Sequence, residues 1–143
     1  MSGRPEVPSP EVCCSEDAKT LTGPTPALVV FSGDTSLSCL KILRPGFRHC
    51  FVAVCRNDHW IICDPLCHRI DLLVINKSAA ADLGEWYRHH GLRVIETSVR
   101  AAPLRVAPLR PFTCVEAVKR VLGIHARSIN TPWQLYRYLS TVF

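Results

Sequence analysis

Apolar residues follow two different periods along the chain, and the change of period divides it. Ala27-Leu-Val-Val-Phe31 is a short unbroken apolar run closed by Ser32-Gly33-Asp34, the pattern of a buried strand entering a turn. His49 to Cys55 and Trp60 to Asp64 are rich in β-branched and aromatic residues and read as two more strands. Between them, Arg56-Asn-Asp-His59 is turn chemistry, which predicts a hairpin. Arg69 to Val74 continues the sheet after Pro65, whereas Ser36 to Leu43 reads equally as a short helix or a strand.

From Ser78 to His90 the period becomes helical. Ala79, Leu83, Trp86, Tyr87 and His90 share one face, and Gly91 ends the helix. Leu92 to Val99 alternates like a strand, and a proline-rich loop with two Ala-Pro-Leu-Arg copies follows. Thr113 with Glu116 three residues on is a capping box. It puts Thr113 at the N-cap, Cys114 at the first helical position, Glu116 reaching back and Gly123 at the left-handed end. Thr131-Pro132 opens a last helix, with Pro132, Leu135, Tyr136 and Leu139 as its apolar stripe. These elements predict an α+β domain over residues 27–143, an antiparallel sheet packed with helices. Residues 1–26, rich in Pro, Ser, Glu and Thr without apolar periodicity, predict a disordered tail.

Composition narrows the function classes. Hydrophobic residues make up 48% of 143, enough for one core. No apolar run approaches the roughly 20 residues that span a bilayer. Met1 to Ser9 lack the apolar region of a signal peptide, which predicts a cytoplasmic or phage-particle-associated protein. The net charge of +5 comes from dispersed residues, Lys119 and Arg120 among them. Without an aromatic-basic stripe they read as a solvated surface, and no nucleic-acid partner is expected. The eight cysteines, in a reducing compartment, are mainly small buried hydrophobes.

One of them has another prospect. A sulfur at a helix N-terminus meets outward-pointing N–H groups and a dipole that favours negative charge, which lowers a thiol pKa. Cys114 then needs a base, and hairpin geometry offers one. With Asn57-Asp58 as the turn, Phe51 opposes Asp64 and His49 opposes Leu66. His49, Phe51 and Asp64 therefore project from one face, with His49 diagonal to Asp64. A carboxylate on one ring nitrogen fixes the tautomer that leaves the other for the thiol. The bland readings are a packed helix cysteine, a strand histidine bonded to a carbonyl, and an aspartate shaping the strand end before Pro65. A zinc site is the competing chemistry, since Cys50, Cys55, His59, Cys63, Cys67 and His68 crowd together. No Cys-x-x-Cys knuckle occurs, however, and Cys50 and Cys63 face away from His49. No metal or cofactor is expected.

Gly-Phe-Arg-His-Cys-Phe-Val on one strand, Trp-Ile-Ile-Cys-Asp-Pro on the next and Phe-Thr-Cys-Val-Glu-Ala-Val-Lys at a helix start resemble the circularly permuted papain-like fold. That group includes NlpC-type cell-wall peptidases and lecithin retinol acyltransferases. The resemblance runs from about Leu28 to Leu139 and looks closest to small phage- or prophage-associated bacterial proteins. It implies Cys114 as nucleophile, His49 as base, Asp64 as the orienting residue and the Cys114 N–H in an oxyanion hole. Relatives vary at the third position. The implied function is a cysteine hydrolase or acyl-transfer enzyme acting on a peptide or acyl-amide substrate. The alternative is a non-catalytic phage component, structural or binding, that keeps the fold. Apart from the resemblance, Trp133 reads most simply as a core or rim aromatic, with the floor of a substrate groove as its functional alternative.

Overall fold

The computed structural model describes residues 23–34, 41–79, 82–104, 106 and 109–142. Five strands, β1 (Thr25–Ser32), β2 (His49–Arg56), β3 (His59–Pro65), β4 (Ile70–Asn76) and β5 (Arg93–Val99), make one sheet in the order β4-β3-β2-β1-β5. Every pairing is antiparallel. Helix α1 (Leu83–His89) links the two edge strands, and α2 (Cys114–Leu122) and α3 (Pro132–Val142) follow. The fold is α+β. No helix among the described residues is long and apolar enough to cross a membrane.

β1 is the central rib because both of its faces are apolar. Ala27, Val29 and Phe31 join Cys50, Val52, Val115, Val118, Leu122, Leu135 and Leu139 under α2 and α3. Leu28 and Val30 join Phe51, Ala53, Trp60 and Ile62 under Leu83 and Tyr87 of α1. The strand begins earlier than its apolar run. Thr25 and Pro26, read from sequence as the end of a tail, pair with Val99 and Ser98 of β5. The β1–β2 ladder extends only as far as Ala27, so Pro26 lies beyond it and its missing N–H takes nothing from that ladder. Residues 1–22 of the expected tail lie outside the described residues, as does most of the ambiguous segment 36–43.

The β2–β3 hairpin turns on Asn57 and Asp58, with φ of 47° and 57°. Two left-handed residues match the right-handed twist of the flanking strands, and Asn and Asp tolerate that region. The register runs from Arg56↔His59 to Val52↔Cys63, as the turn chemistry predicts.

Helix α1 is shorter than the periodicity implied. Asn76 accepts from the Ser78 N–H at 2.9 Å, a local turn that competes with helix. Asp82 instead caps at Glu85 N, also 2.9 Å. The buried side is Leu83, Gly84 and Tyr87, while Trp86, expected on the core face, is 54% exposed.

Helix α2 is capped by Thr113, whose hydroxyl accepts from Glu116 N at 3.2 Å. The Glu116 carboxylate does not reach back to complete the box. It engages Lys119 Nζ at 2.9 Å and Arg120 Nε at 3.2 Å. Lys119, read as a surface charge, is 3% exposed and donates to Ile129 O at 3.0 Å. Gly123 ends the helix at φ 72°, and a Cβ there would stand 2.4 Å from Arg100 O. Gly123→Ala therefore combines left-handed strain with a backbone clash. It is expected to lower stability by about 2–4 kcal/mol in urea unfolding. Helix α3 has a complete capping box: Thr131 Oγ1 accepts from Gln134 N, and Gln134 Oε1 accepts from Thr131 N.

Candidate active site

The structure brings His49, Asp64 and Cys114 together. His49 opens β2, and the hairpin register carries Asp64 of β3 beside it, with 2.6 Å between His49 Nε2 and Asp64 Oδ1. That contact leaves Nδ1 for a second partner. The thiol of Cys114, first residue of α2, lies within hydrogen-bonding reach of the ring. The His49 side chain is 18% exposed and that of Asp64 32%, so the pair is sheltered without being sealed.

A fourth residue completes the arrangement. Cys50 is fully buried and points under α2, away from the side on which Phe51 meets Tyr87. Helix α2 begins at the sheet end, where its first sulfur meets both faces. Hydrogen bonding from the Cys50 side chain is the largest influence on the Cys114 thiol. Burial opposes it, and the His49 ring, the Cys50 backbone N–H and the imidazolium charge then hold the thiol down at about 5. Burial pulls His49 down too, but the hydrogen bonds to Asp64 and Cys114, with their charges, raise it to about 9. Burial, then its neighbour Cys114, pushes the Cys50 thiol well up, so Cys50 stays an S–H donor. Between those two values the resting site is a thiolate–imidazolium pair. Strand parity set Cys50 apart from His49 in the sequence. Its immediate adjacency to His49 was the available signal, but only the placement of α2 gives it a role.

A groove of about 330 Å³ opens over the sulfur. Leu43, Leu66, Phe112, Val115 and Pro132 give it an apolar wall, and Arg48, Thr113 and Asn130 bring polar groups to it. Phe112 stands 60% exposed at its edge. Trp133, the residue expected to floor a substrate groove, does not line it. Its ring packs on Phe47 at 4.8 Å and on Tyr136 at 5.7 Å, under the Arg44 guanidinium at 3.8 Å. The i+1 step around α3 turns Trp133 away and presents Pro132 instead. Among the described residues no group of three or more His, Cys, Asp or Glu side chains is placed to hold a metal ion. His59, one of the zinc candidates, is tied to its own turn through Asn57 O at 2.7 Å.

No protein-family model, curated protein or solved structure matches the chain.

Proposed function

We propose that the protein is a cysteine hydrolase or acyl-transfer enzyme of the permuted papain-like kind, acting on an amide bond. The observation that carries this reading is His49 bonded to Asp64 through Nε2 with the Cys114 thiol also within reach of the ring. In the reaction, Cys114 Sγ attacks the carbonyl carbon. The carbonyl oxygen takes up the electron pair as an oxyanion facing the backbone N–H of Cys114 at the start of α2. His49, already protonated, gives its proton to the leaving amine nitrogen as the C–N bond breaks. A thioester remains on Cys114. Neutral His49 then takes a proton from water, or from another acceptor, as its oxygen attacks the thioester carbon. Collapse of that second tetrahedral intermediate releases the acid and the Cys114 thiolate, leaving the proton on His49. Asp64 holds the ring and favours its protonated form throughout. A peptide amide is the default substrate class. For a phage-associated enzyme, lysis or packaging in a particle would bring a cell-wall peptide within reach.

Alkylation of Cys114 by iodoacetamide tests the resting state. The rate is expected to rise with a midpoint at about pH 5 and to be near its plateau at pH 7. A midpoint near the ordinary thiol value of roughly 8.5 would sink the enzyme reading. One observation favours a second reading, a binding protein that keeps this fold without turnover. The edge strand β4 exposes Ile70, Leu72 and Val74, a row suited to a protein partner. A Cys114 with ordinary reactivity would leave that reading standing.

A further inference from the structure

Among the described residues, no acidic side chain pairs with Arg48, which stands beside the site. It directly precedes His49, its backbone N–H donates to Ser32 O at 2.9 Å, and its side chain lines the groove over Cys114. Its Nε is shut off from solvent and has no hydrogen-bond partner among the described residues. None of the ion pairs among the described residues includes it. Among the described residues the groove lining contains no carboxylate, and Asp64 of the site is engaged by His49. Leu43, Leu66, Phe112 and Pro132 make much of the surrounding wall apolar. Arg48 is half-buried, and its Nε has lost hydration there that an anionic partner would replace with a charge-assisted bond. Its planar fork matches a carboxylate with two parallel hydrogen bonds.

We propose that Arg48 is a specificity-determining residue that holds a carboxylate of the substrate. The enzyme then selects acyl compounds that carry a free carboxylate and an apolar group beside the scissile bond. The carboxylate lies against the guanidinium, and the apolar group packs between Phe112 and the Leu43–Leu66 side of the groove. This assignment rests on Cys114 being the nucleophile.

Two alkylating agents with one reacting centre separate the two ideas. Iodoacetate and iodoacetamide both deliver a CH2 group to sulfur with loss of iodide, and differ only in carboxylate against amide. With the full chain at pH 7, iodoacetate is expected to modify Cys114 faster than iodoacetamide. Some of that preference comes from the His49 imidazolium, so the decisive quantity is the rate ratio in Arg48→Gln. The ratio is expected to fall about tenfold, with Arg48→Lys in between because it keeps the charge and loses the fork. An unchanged ratio in Arg48→Gln overturns the assignment and leaves Cys114 untouched. Slow iodoacetamide reaction of the unaltered protein at pH 7 instead removes the proposed function. Protection supplies a measurement that needs no variant. N-acetyl-leucine is expected to shield Cys114 of the unaltered protein from iodoacetamide, and N-acetyl-leucinamide to do so much less. Equal protection by the two, or none by either, overturns the assignment.

Discussion

Replacing Cys114 by alanine is expected to abolish acyl transfer from an activated ester such as 4-nitrophenyl acetate, a loss of roughly 10^4-fold or more. Removal of a nucleophile leaves only binding and oxyanion stabilisation, and losses of that order or larger follow in comparable enzymes. Mass spectrometry of the unaltered protein during the reaction should find one acetyl group, on Cys114. An acetyl group on exposed Cys67, with undiminished turnover in Cys114→Ala, would remove the mechanism. The pH profile divides the work among the neighbours. Activity should rise with Cys114 ionisation at about pH 5 and fall as His49 loses its proton at about pH 9. Asp64→Asn withdraws a carboxylate that raises His49, so the alkaline limb should move to lower pH. The acid limb should move up, since a less favoured imidazolium stabilises the thiolate less. A narrowed window is the signature of Asp64 acting through His49. A uniform loss with an unchanged profile would make Asp64 a strand-end residue only.

The geometry of this site was legible where local rules decide it, and illegible where a second element had to arrive. Asn57-Asp58 is a two-residue turn of one favoured type, so strand pairing could be counted outward from it to His49 and Asp64. Thr113 and Gly123 likewise bracket a helix by their own side chain and φ. Cys50 was invisible as a participant because alternation along β2 assigns it to the opposite face from His49. Only the docking of α2 across the sheet end makes that face part of the site. Trp133 and Trp86 failed for a related reason. Aromatic bulk suggests a groove floor or a core position. The helix phase nevertheless turns Trp133 into an aromatic stack and Trp86 toward solvent, where it meets His90 at 4.0 Å. Arg48 looked like any other dispersed cation, and the want of a partner for its Nε among the described residues is a property of the surroundings alone.

Lys119 was the other misread charge, and it carries the largest expected effect on stability. Lys119→Met should cost about 3–5 kcal/mol in urea unfolding, because it leaves the Glu116 carboxylate, 6% exposed, without the partner that shares its burial. For a domain of this size that is a large part of a total of roughly 5–15 kcal/mol. Adding Glu116→Leu removes a buried carboxylate left with only Arg120, whose side chain is 48% exposed and returns to water at little cost. The double variant should therefore recover most of the loss. It should retain a deficit of about 1–3 kcal/mol for the Ile129 carbonyl that Lys119 Nζ no longer reaches. The pH dependence has a defined sign. Burial pushes the Glu116 carboxyl up, but Lys119 and Arg120 pull it down further, and it ends below its ordinary value. A depressed carboxyl stabilises the fold above the unfolded pKa of roughly 4.3 and loses that contribution as pH falls through the folded value. The gap between the unaltered protein and Lys119→Met should then be widest near neutrality and close in acid. A gap independent of pH would mean that Lys119 acts by packing alone. The strut also bears on the groove. The 124–131 segment that Lys119 ties to α2 delivers Asn130 and Pro132 to the groove wall, and Arg110 Nη1 donates to Asn130 Oδ1 from the opposite loop. Loosening that tie should disturb the wall before it disturbs the sulfur. Lys119→Met should thus weaken protection by carboxylate ligands while the iodoacetamide midpoint of Cys114 stays where it was.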